Sequence, residues 1–154
     1  HGVEEEATLM FRAAMMKTAE KLSLLYHDIA LVTGEAVSQV ASQTLDAMTF
    51  TDSMTDMLIL RPLCGMDKEE IIKVAKDIDT YDTSILPYED CCVVFSPKHP
   101  VTRPDKKIMK EHFEALHMDA LINEAVENTV IYTFSDQGIE EGKSGVRKAE
   151  DGEN

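Results

Sequence analysis

The sequence contains no long hydrophobic run: nothing in it approaches the roughly 20 apolar residues that a helix needs to cross a bilayer. Its start also lacks the basic flank and apolar centre of a secretory signal peptide, because residues 2–6 read Gly-Val-Glu-Glu-Glu. These two absences argue against membrane insertion and secretion. We therefore expect a cytoplasmic protein that has no membrane partner.

Cysteine is scarce, with three residues in a chain of 154. Three cysteines are too few for a disulfide scaffold, and the sequence has neither a Cys-x-x-Cys pair nor a histidine cluster of the kind that binds structural zinc. We therefore predict no metal ligands. Two of the three, Cys91 and Cys92, are adjacent, which in a reducing compartment indicates either a reactive site or an inert one.

Positive charge is in short supply, because 15 Lys and Arg residues are set against 29 Asp and Glu residues, giving a formal net charge of −14. Neutralisation of phosphates by Lys and Arg supplies most of the affinity of proteins for nucleic acids. Such a chain is poorly suited to hold a polyanion by itself. If it acts on RNA, we expect another domain or subunit to hold the RNA.

The sequence does contain a pattern typical of a single α/β domain over residues 1–134. Its hydrophobic content of 44% suffices for one buried core. Apolar residues recur at helical spacing over four stretches, namely 5–25, 35–48, 67–78 and 105–126. Between them, the short apolar runs 29–32 and 57–60 are typical of parallel strands covered on both faces. The alternation predicts a parallel sheet with helices on both faces.

Local signals mark where these elements begin and end. Asp67 is the expected N-cap of the third predicted helix. Four prolines among the 18 residues of segment 87–104 predict irregular structure, and the run 130–134 predicts a terminal strand. Residues 135–154 are highly charged and nearly free of large apolar side chains, so we expect them to form a disordered tail.

The turn at Thr33, Gly34 and Glu35 is the first candidate site, because ligands of open α/β sheets bind at the carboxyl ends of strands. Gly34 lets a ligand approach the backbone closely. On the predicted helix that follows, Gln39 and Gln43 lie four residues apart on one face, where either amide can contact the same ligand. The alternative is an ordinary turn in which glycine supplies a positive φ and the glutamines face solvent.

Cys91 and Cys92 are the second candidate site, within the proline-rich segment. Thiolates are favoured near cations and disfavoured beside carboxylates, so the preceding Glu89 and Asp90 are unfavourable neighbours, whereas the basic residues of 98–103 can compensate. The alternative is a pair of small buried side chains. The residues alone leave both interpretations open.

Arg12 is the third candidate, because it lies among apolar neighbours in the first predicted helix. An unpaired cation is unfavourable in such surroundings. Its side chain either extends outward to solvent or contacts a phosphate or substrate.

Three blocks of the sequence, residues 31–44, 60–71 and 87–104, resemble in the same order the tRNA 4-thiouridine sulfurtransferases, a family also called thiamine biosynthesis protein ThiI. They include the runs Thr-Gly-Glu-Ala and Tyr-Glu-Asp-Cys-Cys, and the similarity covers most of residues 8–134. The resemblance implies the C-terminal part of an ATP-pyrophosphatase domain. That domain has the adenine nucleotide alpha-hydrolase-like (PP-loop) fold, here incomplete at its N-terminus.

The resemblance also implies a reaction in two halves. ATP with Mg²⁺ adenylates O4 of uridine 8 in tRNA, and a cysteine persulfide, loaded by a cysteine desulfurase, then displaces AMP to leave 4-thiouridine. Adenylation converts O4 of the uridine into a good leaving group, which a soft sulfur nucleophile can then displace. Further implied partners are the ThiS sulfur carrier of thiamine synthesis and a second copy of the chain in a homodimer.

By the same resemblance, Arg12, Gly34 and Gln43 contact ATP, and Cys91 carries the persulfide with Cys92 as a close second. The family's phosphate-binding run Ser-Gly-Gly-x-Asp-Ser is absent from this sequence, as are its RNA-binding domains. We therefore expect sulfur loading by this chain without tRNA thiolation. Two alternatives are a non-catalytic interaction or oligomerisation module and another PP-loop enzyme that modifies RNA.

Overall fold

The chain combines a group of packed helices with two small sheets in a computed structural model that describes residues 3–87, 97–136 and 138–142. The helices are α1 (Val3–Tyr26), α2 (Leu45–Asp52), α3 (Lys68–Asp77), α4 (Tyr81–Ser84), α5 (Lys106–Ala115) and α6 (Asp119–Glu127), with a 3₁₀ turn at Ala41–Gln43. The strands are β1 (Ala30–Val32), β2 (Leu58–Leu60), β3 (Ile131–Ser135) and β4 (Gly138–Gly142). None of the helices in these ranges is long and apolar enough to span a membrane.

Strands β1 and β2 pair in parallel, with Leu31 opposite Ile59, which confirms the predicted α/β arrangement. The chain passes from β1 to β2 through the 3₁₀ turn and α2. Leu31 is buried, but Val32 and Leu58 are 68% and 61% exposed. The apolar runs predict strands that are covered on both faces. Within the described residues, however, β1 and β2 are covered only in part.

The core lies between α1, α2, α5 and α6. Phe50 of α2 and Ala13 of α1 are completely buried, and Met109 and Phe113 of α5 pack into the same cluster. Apolar side chains at helical spacing thus bury one stripe of each helix, as amphipathic helices do. This cluster packs against one side of α1.

The predicted helix over 35–48 is wrong. Ser38 has a positive φ of 63°, the 3₁₀ turn follows it, and α2 begins only after Thr44. The Thr44 hydroxyl accepts a hydrogen bond from the Ala47 amide at 3.2 Å, so a good N-cap starts the helix late despite the helical spacing before it. Gln39 and Gln43 therefore do not share a helical face.

Two other predictions for helices have different outcomes. Asp67 does cap α3, since its carboxylate accepts from the Glu69 and Glu70 amides and Glu70 reciprocates in a capping box. The single helix predicted over 105–126 is in fact the pair α5 and α6. They are separated by a break at which His117 has a positive φ of 48°.

The expectation of a disordered tail from residue 135 is wrong for its first residues. β3 extends to Ser135 and pairs antiparallel with β4, with Phe134 opposite Ile139. Gly138 has a φ of 125°, which only glycine adopts readily and which lets the chain reverse direction. Residues 143–154 lie outside the described part of the chain, so the expectation for them stays a prediction.

Candidate nucleotide-binding site

The carboxylate of Glu35, three residues after the end of β1, is buried and binds two arginines. Its Oε1 accepts from Arg12 Nη2, while its Oε2 accepts from Arg61 Nε at 2.7 Å and from the Thr33 hydroxyl at 2.9 Å. Glu35 is only 5% exposed. A buried carboxylate is tolerated when it is paired with cations and hydrogen-bonded, and Glu35 meets both conditions.

Arg61 extends this network from the end of β2 to the end of α2. Its Nη2 contacts Asp52 Oδ1 while its Nε holds Glu35, and its side chain is only 13% exposed. Arg12 comes from α1. The network therefore ties α1, α2 and the carboxyl ends of both parallel strands together, at the edge of the sheet where ligands of such folds bind.

A cavity of about 400 Å³ opens beside this network. It is lined by Arg12, Gly34 and Gln43, the three residues predicted to contact a nucleotide, so the structure brings all three together. The other lining residues come from one side of α1 and from the end of β1: Met15, Met16, Ala19, Val32, Thr33 and Glu35. The cavity thus has an apolar wall and a polar rim, as small-molecule sites commonly do.

Gly34 contributes open space to the cavity. Its φ is not positive, so the alternative in which the turn needs glycine for its backbone conformation is wrong. A β-carbon at this position would meet nothing within 4 Å. Neither backbone strain nor packing requires a glycine here, and its smallness leaves room beside the end of β1.

Gln43 is held in place by the loop that it closes. Its side-chain Oε1 accepts from the Ala36 amide at 3.2 Å, and its backbone oxygen accepts from the Ser38 amide at 2.9 Å. With Oε1 engaged, the donors of Nε2 are the polar groups that this residue offers to a ligand. Gln39 is exposed and does not line the cavity, contrary to the prediction that it contacts the same ligand.

Cys91 and Cys92 lie outside the described residues, so their roles stay predictions. The chain that follows them is anchored firmly, because the Val101 amide donates to the Glu5 carbonyl at 3.2 Å. The Thr44 hydroxyl also donates to the Thr102 carbonyl at 2.7 Å. Val101 and Thr102 are therefore held against α1 and the residue that caps α2.

Within residues 3–87, 97–136 and 138–142, no three His, Cys, Asp or Glu side chains converge as they would around a metal ion. The described carboxylate nearest the cavity, Glu35, is already bound to two arginines. The described residues around the cavity thus offer polar and apolar contacts to a ligand and no ligand set for a metal ion.

Sequence reasoning included Glu35 in the first candidate site, but it missed Arg61 as a member and missed the pairing of the two residues. Both follow the carboxyl ends of neighbouring parallel strands, which was the available signal. Charged residues directly after two such strands lie close together in space, although they are 26 positions apart in sequence.

Comparison with known proteins gives a consistent result. The family profile described as "Thiamine biosynthesis protein (ThiI)" matches residues 1–118. A probable tRNA sulfurtransferase from Acetivibrio thermocellus is 48% identical over 131 residues, which are 85% of this chain and 33% of that protein. One from Bacillus licheniformis is 52% identical over 125 residues, or 80% of this chain and 31% of that protein.

A solved structure, a 4-thiouridine synthetase in complex with RNA and bound ATP, has the same fold over 80% of this chain and 32% of its own length. The TM-score is 0.72 and the sequence identity is 38%. The chain thus spans about a third of the length of the relatives that it matches. From the matching profile and these identities, the chain belongs to the ThiI family of tRNA sulfurtransferases.

Proposed function

We propose that this chain supplies part of the nucleotide site and the sulfur-carrying cysteine of a tRNA sulfurtransferase. The observation that carries the proposal is the shared cavity of Arg12, Gly34 and Gln43 at the carboxyl end of β1. Support also comes from the fold, which resembles that of a 4-thiouridine synthetase with bound ATP.

The cavity suits the base and ribose of ATP. Its volume of about 400 Å³ lies within the range of small-molecule sites. Met15 and Met16 offer a polarisable apolar wall of the kind that packs well against a flat aromatic ring. Nε2 of Gln43 donates to an acceptor on the ring, and Arg12, whose charge is balanced by Glu35, lies beside the ribose.

ATP, with Mg²⁺ in the complete enzyme, supplies the adenylyl group that converts O4 of uridine 8 into a good leaving group. The outer phosphates need groups beyond those described, because the sequence contains no Ser-Gly-Gly-x-Asp-Ser run. We therefore propose that this chain alone does not thiolate tRNA.

The sulfur half of the reaction uses Cys91. A cysteine desulfurase transfers sulfur to its thiol, and the terminal sulfur of the persulfide attacks C4 of the adenylated uridine as the C4–O bond breaks and AMP leaves. The Cys92 thiolate then attacks the Cys91 sulfur, which releases 4-thiouridine and leaves a disulfide for a dithiol to reduce.

The same persulfide also serves the ThiS carrier in this proposal, and the working unit is a homodimer. A piece that only mediates interactions is the alternative. It requires no ligand in the cavity, so nucleotide binding separates the two.

Calorimetric titration of the chain with adenosine and with Mg-ATP tests the proposal. We expect both ligands to bind with similar dissociation constants of about 1 mM, or about 4 kcal/mol, because the phosphate contacts are missing. Gln43→Ala should weaken binding about fivefold, the value of one hydrogen bond of about 1 kcal/mol. Gln39→Ala, outside the cavity, is the matched control. Absence of saturable binding, or an equal loss in the control, would overturn the proposal.

A further inference from the structure

The positive charge of this acidic chain is concentrated in one short segment. Residues 97–110 hold five of its fifteen Lys and Arg residues but only one of its 29 Asp and Glu residues. The five are Lys98, Arg103, Lys106, Lys107 and Lys110. A local basic patch on a protein with a net charge of −14 is a candidate binding surface for an anionic partner.

The segment presents these cations on a fixed scaffold. Val101, Pro104 and Met109 are buried, whereas most of the cations between and around them are exposed. The hydrogen bonds of Val101 and Thr102 to α1 and α2, described above, hold the backbone in place. The basic side chains therefore project from a rigid edge, and little conformational entropy of the backbone is lost when a ligand binds.

The two lysines that begin α5 are unfavourable for the stability of the helix. Each of the other described α-helices has an Asp or Glu in its first turn, as the helix dipole favours. α5 has none there and instead begins with Lys106 and Lys107, capped by Asp105. Cations at the N-terminal end of a helix are destabilising, so the stability of α5 does not explain the presence of these two lysines.

We propose that the surface of residues 98–110, the basic edge, contacts the phosphate backbone of tRNA. An RNA backbone is a suitable partner for this surface, because exposed cations can contact phosphates without a shaped binding pocket. Beyond a Debye length of about 8 Å, salt screens the acidic remainder of the chain, so this edge acts locally. The basic edge begins six positions after Cys92 in the sequence, close along the chain to the residues that must reach the substrate of the sulfur step. The inference rests on the proposed function as a tRNA sulfurtransferase.

Fluorescence anisotropy with an unmodified tRNA transcript and the 154-residue chain tests this proposal at about 0.15 M salt, where the Debye length is about 8 Å, and at rising salt. We expect weak binding that Lys106→Gln/Lys107→Gln reduces about tenfold, with the slope of log affinity against log salt smaller by about 1–2. The double substitution removes lysines that oppose the helix dipole, so α5 remains folded, which circular dichroism checks.

Lys68→Gln/Lys73→Gln is the matched control, because Lys68 also begins a helix of ten residues and both side chains are exposed. An equal loss in this control, or no binding of tRNA by the unaltered chain, overturns the proposal. Self-association that disappears in Lys106→Gln/Lys107→Gln also overturns it and assigns the basic edge to a second, acidic copy. The lysines changed in these variants lie outside the cavity, so the variants should bind adenosine as the unaltered chain does. Absence of adenosine binding would therefore count against the proposed function and not against the basic edge.

Discussion

Arg61 donates a hydrogen bond from Nε to Oε2 of Glu35 over 2.7 Å, across the carboxyl ends of β1 and β2. Arg12 binds the other carboxylate oxygen of Glu35 from α1. One buried carboxylate therefore positions two arginines that come from different elements. The shape of the cavity depends on this relationship, because Arg12 and Glu35 both line it.

Glu35→Ala should destabilise the chain strongly. Removing one partner of a buried ion pair costs about 3–5 kcal/mol, and Glu35 is the buried carboxylate that binds both Arg12 and Arg61. Urea unfolding measures the loss. Glu111→Ala is the control: its carboxylate lies 4.0 Å from the Lys107 amine and both are exposed, so the cost is below about 1 kcal/mol. Equal losses in the two variants would contradict this role of Glu35.

Gly34→Ala should lower the affinity for adenosine without lowering the stability of the chain. The added methyl group meets no atom within 4 Å and the φ of Gly34 is not positive, so unfolding free energy should stay the same or rise by up to about 1 kcal/mol. The methyl group occupies the cavity, so adenosine affinity should fall. Gly65→Ala is matched, because its added methyl group also meets nothing and Gly65 lies outside the cavity. Undiminished adenosine affinity in Gly34→Ala would argue that the ligand does not approach this backbone.

Glu20 should make the stability of the chain depend on acid pH. Burial alone raises its pKa, but hydrogen bonds from the Thr55 hydroxyl at 2.7 Å and the Asp56 amide at 3.1 Å, with the Lys17 ammonium, lower the pKa below its ordinary value of 4.5. A depressed folded-state pKa means that the stabilisation is complete above 4.5 and is lost as pH falls through the folded value.

Urea unfolding as a function of pH measures this contribution. The free energy of unfolding of the unaltered chain should fall below pH 4.5 more steeply than that of Glu20→Gln, which has no carboxylate to protonate. Thr55→Val, which removes the shortest hydrogen bond to Glu20, should give an intermediate slope. Identical slopes in Glu20→Gln and the unaltered chain would show that this carboxylate does not couple folding to pH.

Local sequence patterns correctly predict those helices in which the apolar spacing and the capping residues indicate the same boundaries. α1 follows from apolar spacing over 24 residues, and α3 follows from the capping box that Asp67 opens. The helix predicted at 35–48 fails because the Thr44 cap outweighs spacing alone. β4 was missed because its Gly-Ile-Glu-Glu-Gly sequence carries little apolar signal and forms a strand only by pairing with β3.

The candidate site was predictable only in part for a different reason. Arg12, Gly34 and Gln43 came from resemblance to a family, and no periodicity in the sequence links α1 to the end of β1. The pairing of Glu35 with Arg61 depends on the parallel register of β1 and β2, which brings the two strand ends together. The two residues are 26 positions apart, and the pairing of strands so distant in sequence is not visible in the local pattern around either residue.

The sulfur-carrying role predicts a labelling pattern among the three cysteines. After incubation with a cysteine desulfurase and radiolabelled cysteine, the unaltered chain should carry label that a thiol reductant releases, and Cys91→Ser should lose it. Cys92→Ser should still load sulfur, because a resolving thiol acts only after transfer to the uridine. Cys64→Ser, whose half-buried thiol lies in the turn after β2, is the control and should load normally. Label that persists in Cys91→Ser and disappears in Cys92→Ser would assign the persulfide to the neighbour, and label on neither would sink the sulfur role.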